Sequence, residues 1–308
     1  MTSEEEAIEI LRAFGTGGVT IADSGGKDSS VLKDIAIKAH EQYGIPIKFE
    51  HSHTGLDAPE TVYFVRDEKK RLEAAGYEYH INYPEMTFEQ LCMKKGMLPT
   101  RIARFCCEYL KENVGHGEKL VTGVRKAESS SRKANQGYVT IIDTSKKKRI
   151  EAEVDDENFL LTGKGGVVAL NYDNAEVRRT VEMCYRTHKT LINPLINWSD
   201  DDVWKYIRDN NIKINPLYEC GFNRVGCIGC PMARYNGRIQ QFARYPKYRE
   251  RFIRLADRLV ELQKQKKGDE YRYGQENGLK YFKRWLEDPN VDGQFSFDMD
   301  GNITEDYT

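Results

Sequence analysis

An apolar run, a loop of small polar residues and an amphipathic stretch follow one another without a break in "GVTIADSGGKDSSVLKDIAIKAHEQYG", residues 18 to 44. The apolar run has the length of a buried strand. Val31, Leu32, Ile35, Ala36 and Ala39 then share one face of a helix that Gly44 would end. The alternation continues with "IPIKFEHS" as a strand, "APETVYFVRDEKKRLEAAG" as a helix, "YEYHINY" as a strand, and "LVTGVR" as a strand after the helical "TRIARFCCEYLKENVG". Strand alternating with helix predicts an α/β protein. The expected core is an open, mostly parallel sheet of five or six strands with helices on both faces, followed by a helical C-terminal part. "SDDDVWKYIRDNN" reads as a helix capped by Ser199 or Asp200, and two further helices are expected in "YPKYRERFIRLADRLVELQKQKK" and "GLKYFKRWLED". The expected division is a nucleotide-binding domain over 1–235, with a polar hairpin insertion at about 135–185, and a helical extension with an acidic tail over 236–308.

Composition narrows the partners. The 308 residues are 39% hydrophobic and 31% charged, as a soluble globular protein would be. With no apolar run of 18 residues and an acidic "MTSEEEAIEI" at the start, neither a membrane span nor an ordinary signal peptide is expected. Seven cysteines without an export signal predict reduced thiols and a cytoplasmic location. A net charge of -1 supplies no broad field for nucleic acid, although "SKKKR" at 145–149 is a local candidate contact. The tyrosine-rich "YPKYRERF" is a candidate homodimer contact.

A loop that leaves a parallel strand and opens a helix lies at the carboxyl edge of the sheet, where open α/β folds bind ligands. Gly25 and Gly26 let backbone N–H groups approach an anion, and the helix N-terminus favours negative charge there. Lys27 adds a mobile cation, Ser24, Ser29 and Ser30 add hydroxyls, and Asp28 can hold a magnesium ion that bridges phosphates. This set suits a pyrophosphate group. It is not a Walker loop, whose glycines and lysine are spaced differently. In "GVRKAESSSR" at 123–132, Arg125 and Arg132 can fork phosphate or sulfate oxygens, with Glu128 orienting one of them. Trp198, Val203 and Trp204 read as packing residues, and His51, His53 and His188 as structural groups.

"SGGKDSS" resembles the PP-loop of ATP pyrophosphatases, which split ATP between its α and β phosphates. "HTGLDAPET" at 53–61, "GVRKAESSSR", "INPLINWSDDDVWKYI" at 192–207 and "NPLYECGFNRVGCIGCP" at 215–231 are similar, in the same order, to the phosphoadenosine phosphosulfate reductase family. The resemblance implies an adenine nucleotide alpha hydrolase-like fold and places Thr54 and Gly55 beside the nucleotide. Cys106 and Cys107, with Cys227 and Cys230 in a Cys-x-x-Cys, would suit either zinc or an iron–sulfur cluster by their spacing. The resemblance to cluster-bearing adenosine phosphosulfate reductases implies a 4Fe-4S centre on Cys106, Cys107, Cys227 and Cys230, with Cys220 as an alternative ligand. Cys92 and Cys184 read as plain buried thiols.

Two departures from the reductase pattern point toward adenylation. No cysteine follows Cys230, where those reductases carry a nucleophilic thiol in a later Glu-Cys-Gly motif, and Lys27 stands in a loop that in the reductases usually lacks it. The expectation is an ATP- and magnesium-dependent adenylating enzyme. Lys27, Asp28, Arg125 and Arg132 would serve at its reacting phosphates, and a sulfur donor or thiol reductant and a nucleic-acid acceptor would be its partners. The alternatives are a true sulfonucleotide reductase that uses Cys220 or an external thiol, and a nucleotide- and cluster-binding sensor subunit.

Overall fold

The computed structural model describes residues 2–111, 118–142, 158–162, 166–184, 189–233, 235–267, 277–287, 296–297 and 303–304. The chain divides into two compact units. The first comprises Met1–Ser52, Pro59–Tyr83 and Glu112–Gly226, and the second His53–Ala58, Pro84–Lys111 and Cys227–Thr308.

The first unit is built on one sheet. After helix α1 (Ser3–Phe14), strand β1 (Val19–Ala22) leads through the glycine-rich loop into α2 (Lys27–Tyr43). There follow β2 (Ile47–Ser52), α3 (Pro59–Ala74) and β3 (Glu78–Asn82). The chain passes through α4 (Phe88–Lys95) and α5 (Phe105–Leu110) of the second unit before β4 (Lys119–Val121). Then come α6 (Ser130–Asn135), β5 (Val139–Ile142), β6 (Phe159–Leu161), β7 (Val167–Ala169), α7 (Ala175–Cys184), β8 (Lys189–Ile192) and α8 (Asp200–Asp209).

The strands lie in the order β3-β2-β1-β4-β8-β5-β7-β6. The first five are mutually parallel, and β5, β7 and β6 add on antiparallel. The fold is α/β and the sheet mostly parallel as expected, but among the described residues it has eight strands where five or six were anticipated. The surplus is of short strands: β6 and β7 are three residues each, too short for an alternating pattern to register. The second arm of the expected hairpin in "YVTIIDTSKKKRIEAEV" lies outside the described residues, as do 145–149 and His188; β5 pairs with β8 and β7. In β1 the successive residues Val19, Thr20 and Ile21 are all buried, as are Lys119, Leu120 and Val121 of β4. Successive side chains point to opposite faces, so both faces of the sheet are covered at its centre.

Local chemistry sets the helix ends. Thr2 accepts the Glu5 N–H while Glu5 accepts the Thr2 N–H, a capping box that starts α1. Ser199 and Asp202 do the same for α8, so Ser199 is the cap and Asp200 the first helical residue. Gly44 closes α2 in the left-handed conformation at φ 67°. Val31, Leu32, Ile35, Ala36 and Ala39 are completely buried on the expected face of α2.

The second unit is helical, comprising α4, α5, α9 (Tyr235–Arg244), α10 (Pro246–Lys267) and α11 (Gly278–Leu286). Its centre is an aromatic cluster. The Phe252 ring lies 5.3 Å from each of Phe88, Phe242 and Trp285, and Phe242 meets Phe282 at 5.2 Å. Tyr248, in the tyrosine-rich segment, donates to the Asp57 carbonyl at 3.0 Å. No described helix is long and apolar enough to cross a membrane. Phe252 is 1% exposed. Its replacement by alanine is expected to cost about 3–5 kcal/mol, read as a lowered urea midpoint with the slope unchanged.

Candidate functional site

The strand order turns back between β1 and β4: β2 and β3 run outward on one side of β1, and β4 inserts on the other. Open α/β sheets bind ligands outside the carboxyl ends of such a strand pair. The loops that leave β1 and β4 carry Asp23–Gly26 and Thr122–Arg125, so the sequence segments singled out for phosphate chemistry meet at this edge.

The loop after β1 is shaped by Asp23, which sequence reasoning passed over. Its buried carboxylate accepts the Gly25 N–H at 2.8 Å and the Ser29 hydroxyl at 3.0 Å on one oxygen. The other oxygen accepts Lys33 Nζ and the Tyr79 hydroxyl, both at 2.8 Å. Lys33 also pairs with Glu68 at 3.1 Å, and Glu68 with Arg71 at 2.9 Å. Burial alone would push the Asp23 carboxyl up; the charge and hydrogen bond of Lys33 outweigh it and hold the group well below the usual carboxylate range. Burial likewise opposes ionisation of Glu68, and its bonds from Arg71 and Lys33 bring it below its ordinary value. His51 bonds through Nδ1 to the Asp23 carbonyl at 2.8 Å, which is the structural role expected of it.

Gly25 sits at φ 70°, and a Cβ there would lie 2.9 Å from Thr61 Cγ2, so only glycine suits this turn. Asn215 fastens the same turn from outside by donating to the Gly25 carbonyl at 3.1 Å. The Ser29 hydroxyl donates within the loop and accepts the Gly26 N–H at 3.1 Å, while Ser24 is exposed and bonds to Ser29 at 3.2 Å. The Lys27 N–H is taken by the Tyr218 hydroxyl at 2.9 Å. The buried Ser30 hydroxyl has no hydrogen-bond partner among the described residues.

Four charges gather at the start of α2. Lys27 Nζ lies 3.1 Å from Asp28 Oδ2 and 3.3 Å from Asp200 Oδ1. Arg125 reaches Asp28 Oδ1 at 2.6 Å through Nε and Asp200 Oδ1 at 2.7 Å through a terminal nitrogen. Arg125 is 1% exposed and donates a further bond to the Trp198 carbonyl at 3.3 Å. Burial would lower its pKa, but Asp28 and Asp200 more than offset that. With its nitrogens on carboxylates and a carbonyl, Arg125 holds the site together in this structure and does not project as a clamp. Arg132 is ion-paired to Glu128, whose carboxylate also accepts the Arg125 N–H at 3.1 Å, so Arg132, Glu128 and Arg125 form one chain of contacts.

Thr54 and Gly55 belong to the second unit. The Thr54 N–H is accepted by Asp57 at 2.8 Å, and its hydroxyl is the partner of Cys227 Sγ at 3.4 Å. The second unit also carries Cys106, Cys107 and Cys230; Cys220 is exposed and lies in the first. Cys106 is pushed up and Cys107 down by the hydrogen bond between them, and Cys106 also feels Cys227 and Cys230. Arg104 and Lys111 favour the Cys107 thiolate. Burial raises Cys227, opposed by the charge of Lys111 and the bond to Thr54. Lys111 is in turn held protonated, chiefly by Cys227 and then by Asp57. Among the described residues no group of three or more His, Cys, Asp or Glu side chains stands ready to hold a metal ion. The residues offer thiols of suitable chemistry, Cys107 bonded to Cys106 and Cys106 within electrostatic reach of Cys227 and Cys230, rather than a finished coordination shell. Cys92 is a buried thiol, raised by burial, and the Cys184 side chain lies outside the described residues.

The phosphoadenosine phosphosulfate reductase domain model matches residues 18–233, most of the chain. The chain belongs to that family. Among curated relatives, an adenosine 5'-phosphosulfate reductase of Oceanobacillus iheyensis is 26% identical over 223 residues, covering 70% of this chain and 72% of its own. A sulfate adenylyltransferase subunit 2 of a Shewanella species is 24% identical over 258 residues, covering 82% and 78%. Against two longer relatives from Methanocaldococcus jannaschii the chain spans only 51% and 40% of their length. A solved U34-tRNA thiolase from Methanococcus maripaludis, with its 4Fe-4S cluster, is 15% identical and covers 94% of this chain and 80% of its own, at a TM-score of 0.44. The family is one of enzymes.

The Asp23 network sets an acid limit on this family member's stability. Groups whose pKa falls on folding contribute stability that is complete above their unfolded value, about 4, and lost as pH drops toward the folded value. Wild type is therefore expected to be more stable at pH 7 than at pH 3. Lys33→Met, which takes the cation from the buried Asp23 carboxylate and leaves Glu68 to Arg71, should cost about 3–5 kcal/mol at pH 7 and flatten that dependence. Urea midpoints at both pH values measure it, and an unchanged pH slope in the variant would remove Lys33 from the account.

Proposed function

We propose that this family member is an adenylating ATP pyrophosphatase that cleaves ATP to AMP and pyrophosphate and activates an acceptor for sulfur transfer, with nucleic acid as an acceptor class. The observation that carries the reading is the Lys27 ammonium at the N-terminus of α2, beside Asp28 and Arg125, outside the β1/β4 switch point. The similarity to a sulfate adenylyltransferase subunit supports adenylyl chemistry.

ATP enters as its magnesium complex, with Asp28 the partly exposed carboxylate beside Lys27. Its β and γ phosphates would face the α2 N-terminus, the Ser30 hydroxyl and Lys27, while Ser29 holds the loop through Asp23. An acceptor oxygen attacks the α-phosphorus, the bond to the α–β bridging oxygen breaks, and pyrophosphate leaves. Lys27 stabilises the charge that develops on that leaving group, a role in which preorganised cations are most effective. Arg125 positions Asp28 by its 2.6 Å bond, and Arg132 and Glu128 brace the Arg125 backbone. A sulfur nucleophile then displaces AMP from the adenylated acceptor. Cys106, Cys107, Cys227 and Cys230 would hold a 4Fe-4S cluster, with Cys220 the alternative ligand and zinc the alternative metal. Bound there, it would supply a sulfur-binding or electron-carrying group. Thr54 orients Cys227, and Lys111 offsets thiolate charge.

The second reading is a sulfonucleotide reductase, favoured by the similarity to adenosine 5'-phosphosulfate reductase and by the exposed thiol of Cys220. Equilibrium titrations on one anaerobic preparation separate the two. Magnesium–ATP is expected to bind more tightly than phosphoadenosine phosphosulfate, and Lys27→Ala to weaken it by at least about tenfold, near 1.4 kcal/mol. Preference for the sulfonucleotide would make the reductase the better account. Cys227→Ser and Cys230→Ser are each expected to lower the iron content of the anaerobic protein; full iron in both would end the cluster assignment.

A further inference from the structure

Phosphate sites usually carry a surplus of positive charge. This one does not. Lys27 and Arg125 are matched one for one by Asp28 and Asp200, and Asp200 Oδ1 alone accepts from both cations, at 3.3 and 2.7 Å. The two carboxylates are placed differently. The Asp28 side chain is 25% exposed and faces the buried Arg125, whereas the Asp200 side chain is 67% exposed at the first residue of α8. Arg125 keeps Asp200 ionised below the usual carboxylate range. An incoming anion that takes Lys27 must therefore displace or share with a charged carboxylate already bonded there. The neutral cluster offers a free polyanion little net attraction, and the α2 N-terminus contributes only a partial charge. A polyphosphate complexed with magnesium is different. Its cation meets Asp28 and Asp200 favourably, its net charge is two units less negative, and its remaining oxygens are free for Lys27.

We propose that Asp200 is a specificity-determining residue of the phosphate site, which competes for Lys27 and Arg125 so that polyphosphates are admitted as magnesium complexes and metal-free anions are disfavoured. The proposal rests on the reading of the Lys27 loop as a pyrophosphate site and deepens it. It also gives a reason for the site to discriminate against sulfonucleotides presented without metal. Asp200→Asn keeps the shape of the side chain and leaves the Ser199–Asp202 capping box intact. Asp201→Asn makes the same charge change one residue along the helix, and so controls for long-range field.

The test is calorimetric titration of inorganic pyrophosphate into the full chain at fixed ionic strength, once with excess magnesium and once with a chelator, with folding checked by circular dichroism. Wild type is expected to bind the magnesium complex more tightly. Asp200→Asn should strengthen metal-free binding by about tenfold and narrow the ratio between the two conditions, with Asp201→Asn close to wild type. Unchanged metal-free affinity in Asp200→Asn, or an equal gain in Asp201→Asn, would overturn the role of Asp200. A fall confined to the magnesium complex in Asp200→Asn would overturn it too, making Asp200 a metal-binding group rather than a competitor. Failure of the underlying reading looks different: folded wild type would bind pyrophosphate in neither condition, or Lys27→Ala would bind it as wild type does.

Discussion

The Asp23 carboxylate joins the sheet to the loop. One oxygen fixes the Gly25 N–H and the Ser29 hydroxyl, and the other is bonded by Lys33 and Tyr79. A buried carboxylate costs several kcal/mol unless it is paired and its lone pairs are satisfied. Here both conditions are met. The hydrogen bonds that satisfy it draw from α2, from β3 and from the loop itself, so those three elements can take only one arrangement without stranding the charge. Gly25 at φ 70° and the start of α2 follow from that arrangement. The position of Lys27 follows in turn, one turn of chain from the anchored turn and next to the Tyr218 hydroxyl.

The second charge cluster, nearer the surface, obeys a different rule. Asp23 and its partners are enclosed and saturated, and their geometry is a matter of stability. In the Lys27–Asp28–Arg125–Asp200 group, Arg125 is enclosed while Asp200 is open to solvent, so one end of the network is fixed and the other can be exchanged. Exchange at the solvent end costs less than at the buried end, because water can replace part of what an exposed carboxylate loses. The same bonds at the buried end are not exchangeable on those terms. That asymmetry underlies the proposed division, in which Arg125 positions and Lys27, with its partner Asp200, meets the ligand.

The second unit shows the analogous problem with sulfur. The hydrogen bond between two adjacent thiols drives them apart, Cys106 up and Cys107 down, and burial raises Cys227. Lys111 and Arg104 act against burial, and the Thr54 hydroxyl is directed at Cys227. A plain buried thiol such as Cys92 has no such company and is raised by burial, with Glu89 adding to the effect. The contrast is one of surroundings rather than of residue type.

That distinction also explains what could be read from the sequence and what could not. Period and turn chemistry are local, so α2 with its buried face, the Ser199 cap of α8 and the parallel run of strands were legible from spacing alone. The glycine-rich loop between β1 and α2 was legible because it interrupts an apolar run and an amphipathic one. Asp23 was not, since one carboxylate at a strand end has no meaning until Lys33, ten residues on, and Tyr79, fifty-six residues on, are brought to it. Asp200 was misjudged for a related reason. In sequence it is one of three aspartates opening a helix, where acids favour the helix dipole whatever else they do. Only the fold, by setting the end of β4 against the start of α8, turns a helix-start acid into the partner of Arg125. A residue whose local role is already sufficient conceals its tertiary one, and the polar positions that most reward a structure are those whose local pattern already accounts for them.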